Sequence, residues 1–382
     1  MCATLAAPIW IAPDALFDGQ RLRQGMALAV TGARTGDLRA RAQVPADARL
    51  VKVAGTVCAG FLDLQVNGGG DALLNNDQSV TTLARMAAAH RRFGTVGILP
   101  TVITDAPEVL ERAVEAALAA QGSQGLLGLH IEGPHISVAR RGTHLAQYVR
   151  PFEPQTLAHI QRLRAAELFV KITLAPESTT PAQVAQIVET GAVVSIGHSD
   201  ATAEQVRALL DAGASCFTHL FNAMSPMLNR AAGVTGAGIN SAAYVGIICD
   251  GHHVADEMLG LAIRARPVPG RMFLVSDAMS TVGGSPSFTL YGQHLHLEAG
   301  RLVNAEGSLA GAHITMAEGL ARLIKNVGIA PEQALDMAIS APARLLGRDA
   351  LASPCARALE DVLLLGTDWS VSPLATALTE II

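Results

Sequence analysis

Short apolar runs rich in β-branched residues alternate with amphipathic helical patterns along most of the chain, from about Gly55 onward. A buried strand is typically a short apolar run between turn residues, whereas a helix repeats apolar positions every three to four residues. Their alternation predicts βαβ units and a parallel sheet. The pattern contains eight candidate strands, which are predicted to end near Gln65, Thr101, Glu132, Ala175, His198, His219, Asp250 and Asp277.

The helical patterns between these strands carry their own start and stop signals. Ser79 is placed as the N-cap of SVTTLARMAAAHRRFG, and Gly94 ends the pattern. PEVLERAVEAALAAQG and PAQVAQIVETG each begin with a proline, which suits the first turn of a helix. Successive strand–helix units of this kind predict a (β/α)8 barrel of the TIM type over residues 55–347.

The two ends of the chain differ from this pattern. The N-terminal part contains strand-like runs such as MALAVTG and RLVKVAG, and the C-terminal segment ALEDVLLLGTDWSV again resembles strands. We therefore predict a small β-sandwich domain built from both termini, residues 1–54 plus 348–382. An insertion at about 284–308 is expected to form one or two hairpins. The predicted fold class is α/β.

Composition narrows the partners that this chain is expected to have. Hydrophobic residues make up 50% of the 382 positions and charged residues 16%, which is typical of a compact enzyme. The net charge is −5 and no basic cluster stands out, so no nucleic acid partner is expected. Uninterrupted apolar runs of about 18 residues are lacking, so no membrane partner is expected either. The five scattered cysteines favour a reducing, cytoplasmic location.

Polar residues with catalytic potential fall at the predicted carboxyl ends of several strands. Barrel enzymes place their catalytic groups at this rim. One carboxylate and two imidazoles are common ligands of a catalytic zinc, iron, cobalt or manganese ion, and a nearby carboxylate can act as general base. The residues at these strand ends are Gln65, Glu132, His198, His219 and Asp277, of which Asp277 is the candidate base.

Each of these residues also has a structural interpretation. A histidine at a strand end is often a hydrogen-bonding residue of the fold, and Glu132 before Gly133 and Pro134 can cap a turn. Asp277 can cap the following helix. For any one residue the structural interpretation is favoured, whereas their occurrence together at one rim favours a catalytic site.

A set of longer motifs resembles a known family. GFLDLQVNGGG, LHIEGPHIS, RGTH, IGHSDAT, THLFNAM, DGHHV, LVSDAM and GSLAGA occur in the order seen in N-acetylglucosamine-6-phosphate deacetylases of the amidohydrolase superfamily. The resemblance covers roughly residues 50–347. It implies release of acetate from N-acetyl-D-glucosamine 6-phosphate, giving D-glucosamine 6-phosphate in amino-sugar catabolism. It also implies one divalent metal ion per chain, with zinc expected first and iron, cobalt or manganese as alternatives.

The resemblance further implies roles for individual residues. Glu132, His198 and His219 match the metal ligands, Asp277 matches the catalytic acid/base, and His144 matches a catalytic residue near the reacting amide. The matching substrate-binding positions are Thr143, His144, Asn222, Ala223, Arg230, Asp250, His253 and Leu309. Arg230 matches an arginine that contacts the phosphate across a dimer interface, so a homodimer is implied. The planar guanidinium suits phosphate oxygens chemically.

Two motifs depart from common patterns. Many amidohydrolases carry His-x-His after the first strand, whereas this chain has Gln65, Val66 and Asn67 there. Amides are weaker metal ligands than imidazole, so we expect one tightly held metal and only weak second-metal or water contacts from Gln65 and Asn67. In DGHHV the motif alignment favours His253 over His252 as the residue that faces the substrate.

Other functions remain open at this point. A deacetylase of another N-acetylhexosamine phosphate, such as the galactosamine isomer, would use the same site, and a cyclic-amide hydrolase or deaminase belongs to the same superfamily. A non-catalytic sugar-phosphate sensor could keep the barrel. Such a sensor would not need Asp277 as a general base, so the sequence favours an enzyme.

Overall fold

The structure, a computed structural model, describes residues 8–304, 307 and 309–381. The chain begins with a β-sheet whose apolar side chains, including Ile11, Leu28 and Val57, form a cluster separate from the barrel core. The strands of this part are β1 (Ile9–Phe17), β2 (Leu22–Gln24), β3 (Met26–Thr31), β4 (Arg34–Ala40) and β5 (Leu50–Ala59).

The middle of the chain forms a parallel sheet of eight strands, and nearly every position in these strands is buried because side chains fill the interior and helices cover the outside. The strands, with a short hairpin formed by β7 and β8 in the first loop, are β6 (Phe61–Val66), β7 (Gly68–Gly69), β8 (Ala72–Leu73), β9 (Thr95–Ile103), β10 (Gly128–Glu132), β11 (Phe169–Leu174), β12 (Val193–Ile196), β13 (Cys216–Phe217), β14 (Tyr244–Ile247) and β15 (Met272–Leu274).

Each of these eight strands lies beside the next one in the chain, from β6 to β15. Backbone hydrogen bonds close the gap between the last and the first strand at their carboxyl ends. The N–H of Asp277 donates to the carbonyl of Gln65 at 3.0 Å, and the N–H of Asn67 donates to the carbonyl of Ala278 at 2.9 Å. The predicted fold class is therefore confirmed.

The helices between the strands begin where the sequence signals indicate. The hydroxyl of Ser79 accepts a hydrogen bond from the N–H of Thr82, and Thr180, Thr202 and Thr315 each form a capping box. The helices are α1 (Val80–Arg91), α2 (Pro107–Ala119), α3 (Pro154–Ala165), α4 (Pro181–Glu189), α5 (Ala203–Asp211), α6 (Gly233–Asn240), α7 (Asp256–Ala265), α8 (Met316–Lys325), α9 (Pro331–Leu335) and α10 (Ala341–Leu345), with a π-helical turn (Asp336–Ser340) between the last two.

The insertion before α8 forms a small antiparallel sheet, as expected from its sequence. Its apolar residues Leu290, Leu295 and Leu302 pack against Ile103 and Met279 at the barrel rim. The sheet therefore covers part of the face where the functional residues were expected. Its strands are β16 (Ser287–Leu290), β17 (Gln293–Glu298) and β18 (Arg301–Val303).

The C-terminal segment returns to the first sheet. Strand β19 (Val362–Leu365) pairs antiparallel with β5 and with β20 (Val371–Pro373), so both termini build one mixed sheet of seven strands. The helix α11 (Leu374–Ile381), which was not predicted, follows, and its Leu374 and Leu378 join the apolar cluster of this sheet.

Two further features concern membrane spans and the cysteines. Within the described ranges, no helix combines the length and the apolar character needed to cross a bilayer. Cys58, Cys216, Cys249 and Cys355 are free thiols. Cys2 lies outside the described residues.

Candidate active site

Three of the predicted rim residues converge at the carboxyl end of the barrel. Glu132 is the last residue of β10, and His198 and His219 follow directly on the loops after β12 and β13. The Nε2 atoms of His219 and His198 lie 2.9 Å and 3.2 Å from Oε1 of Glu132, and 3.1 Å from each other. All three side chains are at most 6% exposed. The structure thus brings the predicted metal ligands together.

This group fits a divalent cation. One ligand atom from each residue lies within 4.8 Å of the others. Nδ1 of His198 lies 2.9 Å from the backbone carbonyl of Arg140, which can only accept, so a neutral His198 ring carries its proton there. The lone pair of His198 is then on Nε2, directed at the same point as the Glu132 carboxylate, as in known metal sites with an outer hydrogen bond to the ligating histidine.

Electrostatics agree with this interpretation. Burial alone would raise the pKa of Glu132, but the close imidazoles of His198 and His219 hold that pKa well below its usual value. Burial alone would lower the pKa of His219, whereas the neighbouring Glu132 raises it. The pocket therefore holds a negative carboxylate that favours positive charge at the point where the three side chains meet.

Asp277 lies beside this group, on the loop after β15. Its Oδ1 accepts hydrogen bonds from Nδ2 of Asn67 at 2.8 Å and from Nε2 of Gln65 at 3.1 Å. Burial, together with repulsion from Glu132, raises the pKa of Asp277. A carboxylate with a raised pKa is a better proton acceptor near neutral pH.

Gln65 and Asn67 use their amide N–H groups to hold carboxylates. Besides Asp277, Nε2 of Gln65 reaches Oε1 of Glu132 at 3.0 Å. Their amide oxygens are buried and have no hydrogen-bond partner among the residues that the structure describes. The expectation of weak metal or water contacts from these oxygens stays a prediction.

Four functional candidates have backbones in the left-handed region. The φ angles are 48° for His198, 27° for His219, 51° for Ala223 and 51° for Asp277. For residues other than glycine such conformations cost roughly 1–3 kcal/mol of free energy, and they cluster at functional sites. Neighbouring loops hold two of them in place: the carbonyl of His198 accepts from the N–H of Ser137, and that of Asp277 from the N–H of Ala312.

A cavity of about 210 Å³ opens onto this group. It contains most of the residues that the sequence predicted for substrate or metal, and it adds Ile103, Gly142, Met279 and Gly311, for which no sequence signal was recognised. The complete lining is Asn67, Ile103, Glu132, Gly142, Thr143, His144, His198, His219, Asn222, Ala223, His253, Asp277, Met279, Leu309 and Gly311.

Asp250, predicted to bind substrate, is not among the residues that line the cavity, and it bonds His253, which is. Its Oδ2 is 2.6 Å from Nδ1 of His253, and its Oδ1 accepts the backbone N–H groups of His252 and His253. Burial alone would raise the pKa of Asp250, but the bonds with His253 lower it to about 2. His253 lines the cavity, whereas His252 is exposed.

Arg230 lies outside the cavity of its own chain. It lines a separate surface groove together with Asp200, Arg207 and Leu228. Leu228 is 60% exposed, and its neighbour Met227 is 41% exposed. The described residues of a single chain therefore do not bring Arg230 to the other substrate-binding candidates.

His144 reaches the cavity from the loop after β10. Its ring packs against the ring of His198 with centroids 4.4 Å apart. Burial lowers the pKa of His144 to about 3, so the ring is neutral at neutral pH. Nδ1 of His144 lies 2.7 Å from the hydroxyl of Thr104, a residue that the sequence did not single out because β9 was expected to end earlier.

Known proteins resemble this chain over most of its length. The model of the amidohydrolase family matches residues 56–352. An N-acetylgalactosamine-6-phosphate deacetylase of Shewanella sp. (strain ANA-3) is 41% identical over 303 residues, which cover 78% of this chain and 76% of that protein. An N-acetylglucosamine-6-phosphate deacetylase of Haemophilus influenzae is 36% identical over 298 residues, covering 76% of this chain and 77% of that protein.

A solved structure resembles the whole fold. It is an N-acetyl-D-glucosamine-6-phosphate deacetylase variant of Mycobacterium smegmatis in complex with N-acetyl-D-glucosamine 6-phosphate. The TM-score is 0.86 at 30% sequence identity, and the match covers 96% of this chain and 97% of that chain.

The grouping of Glu132 with two imidazoles predicts that Glu132→Gln weakens metal binding. An amide oxygen carries no net charge, so we expect the variant to lose most of its divalent metal on dialysis against a weak chelator, while wild-type protein retains it. Metal content is measured by plasma mass spectrometry. Glu177→Gln is the matched control, since Glu177 bonds Ser199 on the same rim outside the ligand group. Equal metal content in wild type and Glu132→Gln would contradict this ligand assignment.

Proposed function

The chain belongs to the amidohydrolase family, and we propose that it removes the acetyl group from N-acetyl-D-glucosamine 6-phosphate. The observation that carries the proposal is the presence of a buried Glu/His/His group and a second carboxylate, Asp277, in one cavity. Two relatives, at 41% and 36% identity, are deacetylases of N-acetylhexosamine 6-phosphates.

The chemistry needs a proton acceptor, an oxyanion stabiliser and a Lewis acid. A divalent cation held by Glu132, His198 and His219 would polarise the acetamide carbonyl and make a water molecule more acidic. Asp277 takes the proton of the attacking water and later gives it to the amine nitrogen that leaves. His144 stabilises the negative charge that develops on the carbonyl oxygen. The products are acetate and glucosamine 6-phosphate.

The cavity has walls of two kinds, which suits an acetylated sugar. Thr143, Asn222 and His253 can form directional hydrogen bonds with hydroxyl groups, and the backbone at Ala223 adds further polar groups. Ile103, Met279 and Leu309 provide apolar surface. We place the sugar ring against the polar wall and the acetyl methyl group against the apolar wall.

We further propose that each chain holds one tightly bound metal ion, with zinc as the first candidate. The amide N–H groups of Gln65 and Asn67 point at carboxylate oxygens, and an N–H group cannot ligate a cation. A second metal ion at this position would therefore meet amide N–H groups in the place where His-x-His supplies imidazole ligands in other amidohydrolases.

The galactosamine isomer is the second candidate substrate. It is favoured by one specific observation, the 41% identity with the Shewanella N-acetylgalactosamine-6-phosphate deacetylase. The two sugars differ only in the configuration at C4, and the catalytic groups named above act on the acetamide at C2. The same mechanism would serve both.

Acetate release from both phosphorylated epimers and from unphosphorylated N-acetylglucosamine tests the proposal. The purified protein is assayed as isolated, after metal removal, and after restoration of zinc to one equivalent per chain. We expect activity on N-acetylglucosamine 6-phosphate that disappears and returns with the metal. Faster turnover of the galactosamine epimer would transfer the assignment to that substrate, and inactivity on both in metal-loaded protein would contradict the proposed function.

Asp277→Asn should retain the metal and the fold but lose most turnover. The amide keeps the shape of the side chain and cannot accept the proton of water, so we expect kcat to fall by about 10²–10⁴-fold. Metal content and circular dichroism are compared in the same preparations. Turnover within a few-fold of wild type would remove Asp277 from the general-base role.

Arg230 is proposed to bind the phosphate of a substrate that lies in the cavity of a second copy. Its position in a groove with exposed Met227 and Leu228, away from its own cavity, supports a homodimer in which each chain completes the site of the other. The guanidinium is suited to bidentate bonds with phosphate oxygens.

We expect Arg230→Ala to raise KM for the phosphorylated sugar about tenfold to a hundredfold, because a charge-assisted hydrogen bond contributes about 1.5–3 kcal/mol. The activity of the variant on unphosphorylated N-acetylglucosamine should stay within about twofold of wild type, because this substrate has no phosphate for Arg230 to bind. Arg207→Ala, in the same groove, is the matched control. Light scattering reports the oligomeric state, and a monomeric wild type with full activity would contradict the shared site.

A further inference from the structure

The insertion sheet contacts the barrel rim through the tip of its first hairpin. Tyr291 and Gly292 form a two-residue turn between β16 and β17, with φ angles of 54° and 76°. The hydroxyl of Tyr291 donates to the backbone carbonyl of Thr104 at 2.5 Å. Burial raises the pKa of Tyr291, so its hydroxyl keeps the proton that it donates.

Thr104 connects this hairpin to the catalytic face. Its side chain is almost fully buried, and its hydroxyl lies 2.7 Å from Nδ1 of His144 and 3.3 Å from the backbone carbonyl of Glu132. The room for this hydroxyl depends on Gly133, where a Cβ would lie 2.1 Å from Oγ1 of Thr104. The hairpin, the strand end and His144 therefore meet at one threonine.

The two contacts of this hydroxyl are unequal. The contact with Nδ1 of His144 can form in either direction, whereas the contact with the carbonyl of Glu132 requires the hydroxyl proton, because a carbonyl only accepts. At 3.3 Å the contact with Glu132 is longer than the roughly 2.5–3.0 Å of an O–H···O hydrogen bond, so the single hydroxyl proton is directed to Nδ1 of His144. When Thr104 donates to Nδ1 of His144, the single proton of the neutral ring lies on Nε2. Within the described ranges Nε2 makes no hydrogen bond to the protein, and His144 lines the cavity, so this N–H is free to meet a substrate oxygen.

We infer that Thr104 is a positioning residue that sets the orientation and the tautomer of His144, and that Tyr291 fixes Thr104 in place. The inference rests on the proposed function in one respect, because it assigns the Nε2–H of His144 to the carbonyl oxygen of the acetamide. The ring contact with His198 restrains the plane of the imidazole. This ring contact does not determine which nitrogen carries the proton. The hydrogen bond from Thr104 to Nδ1 does.

A double-mutant cycle tests this inference through turnover of metal-loaded protein. Loss of an oxyanion donor typically lowers kcat by about 10²–10³-fold. We expect Thr104→Val to lower kcat by about tenfold to a hundredfold with KM within about threefold, because the donor is misplaced and not deleted. Thr104→Ser, which keeps the hydroxyl, should restore most of this loss. Tyr291→Phe should give a smaller loss of kcat.

The cycle separates a positioning role from general damage to the fold. In a His144→Ala background, Thr104→Val and Tyr291→Phe should have no further effect on kcat, since they act through His144. Thr281→Val is the matched control: it removes a hydroxyl that lies 2.9 Å from Nδ1 of His313, outside the cavity lining. Additive losses in the His144→Ala background, or a loss in Thr281→Val as large as that in Thr104→Val, would overturn the inference.

A second measurement does not depend on activity. The ¹⁵N signals of histidine in zinc-loaded protein report which ring nitrogen carries the proton, and the His144 signal is assigned by its absence in His144→Ala. We expect the Nε2–H tautomer in wild type and Thr104→Ser, and a changed tautomer ratio in Thr104→Val. An Nδ1–H tautomer in wild type, or identical spectra for wild type and Thr104→Val, would overturn the inference. Absence of deacetylase activity in wild type would instead contradict the proposed function alone.

Discussion

The carboxylate of Glu132 is the group on which the rest of the site depends. It is about 2% exposed, and its Oε1 is approached by nitrogen atoms of Gln65, His198 and His219 within 3.2 Å. A buried charge is stable only when positive charge or hydrogen-bond donors compensate for the water that it has lost. Here His198 directs a lone pair at the carboxylate, so a cation is the partner that satisfies all of these groups together.

The barrel interior holds these side chains in register. Beneath the ligands, His130 bridges Thr101 and Thr173, and the hydroxyl of Thr173 continues through Thr218 to Ser195. These bonds link five neighbouring strands by side chains as well as by their backbone ladders. A fully satisfied polar network of this kind fixes a unique arrangement of strands. Fixed strands in turn fix the positions of the residues at their ends.

Much of the barrel and of the ligand group could be predicted from the sequence because both depend on local patterns. Apolar runs located the strands, and strand ends in a parallel barrel must meet at one rim, so Glu132, His198 and His219 could be grouped without coordinates. The remainder depends on contacts between residues far apart in the chain. The hydrogen bond from Tyr291 to Thr104 joins segments 187 residues apart, and no local sequence pattern indicates it.

Other differences have similar causes. The left-handed backbone at Asp277 is held by residues far away in the chain, since its N–H donates to the carbonyl of Gln65 and its carbonyl accepts from the N–H of Ala312. Arg230 lies on the loop before α6 and lines a groove separate from its own cavity. The sequence around it shows turn residues only, and these do not indicate which way the loop runs. The mixed sheet forms because β19 returns to β5, and it includes residues to Ala59, so the small β domain extends beyond residue 54.

Anomalous diffraction at the zinc absorption edge tests the central claim most directly. The crystals would contain the zinc-loaded Asp277→Asn variant with N-acetylglucosamine 6-phosphate bound. The account predicts a strong peak among Glu132, His198 and His219, with the acetamide carbonyl of the sugar beside it and the side chain of residue 277 facing the carbonyl carbon. A zinc peak away from these three residues, or a sugar bound with its acetamide outside the cavity, would contradict the account.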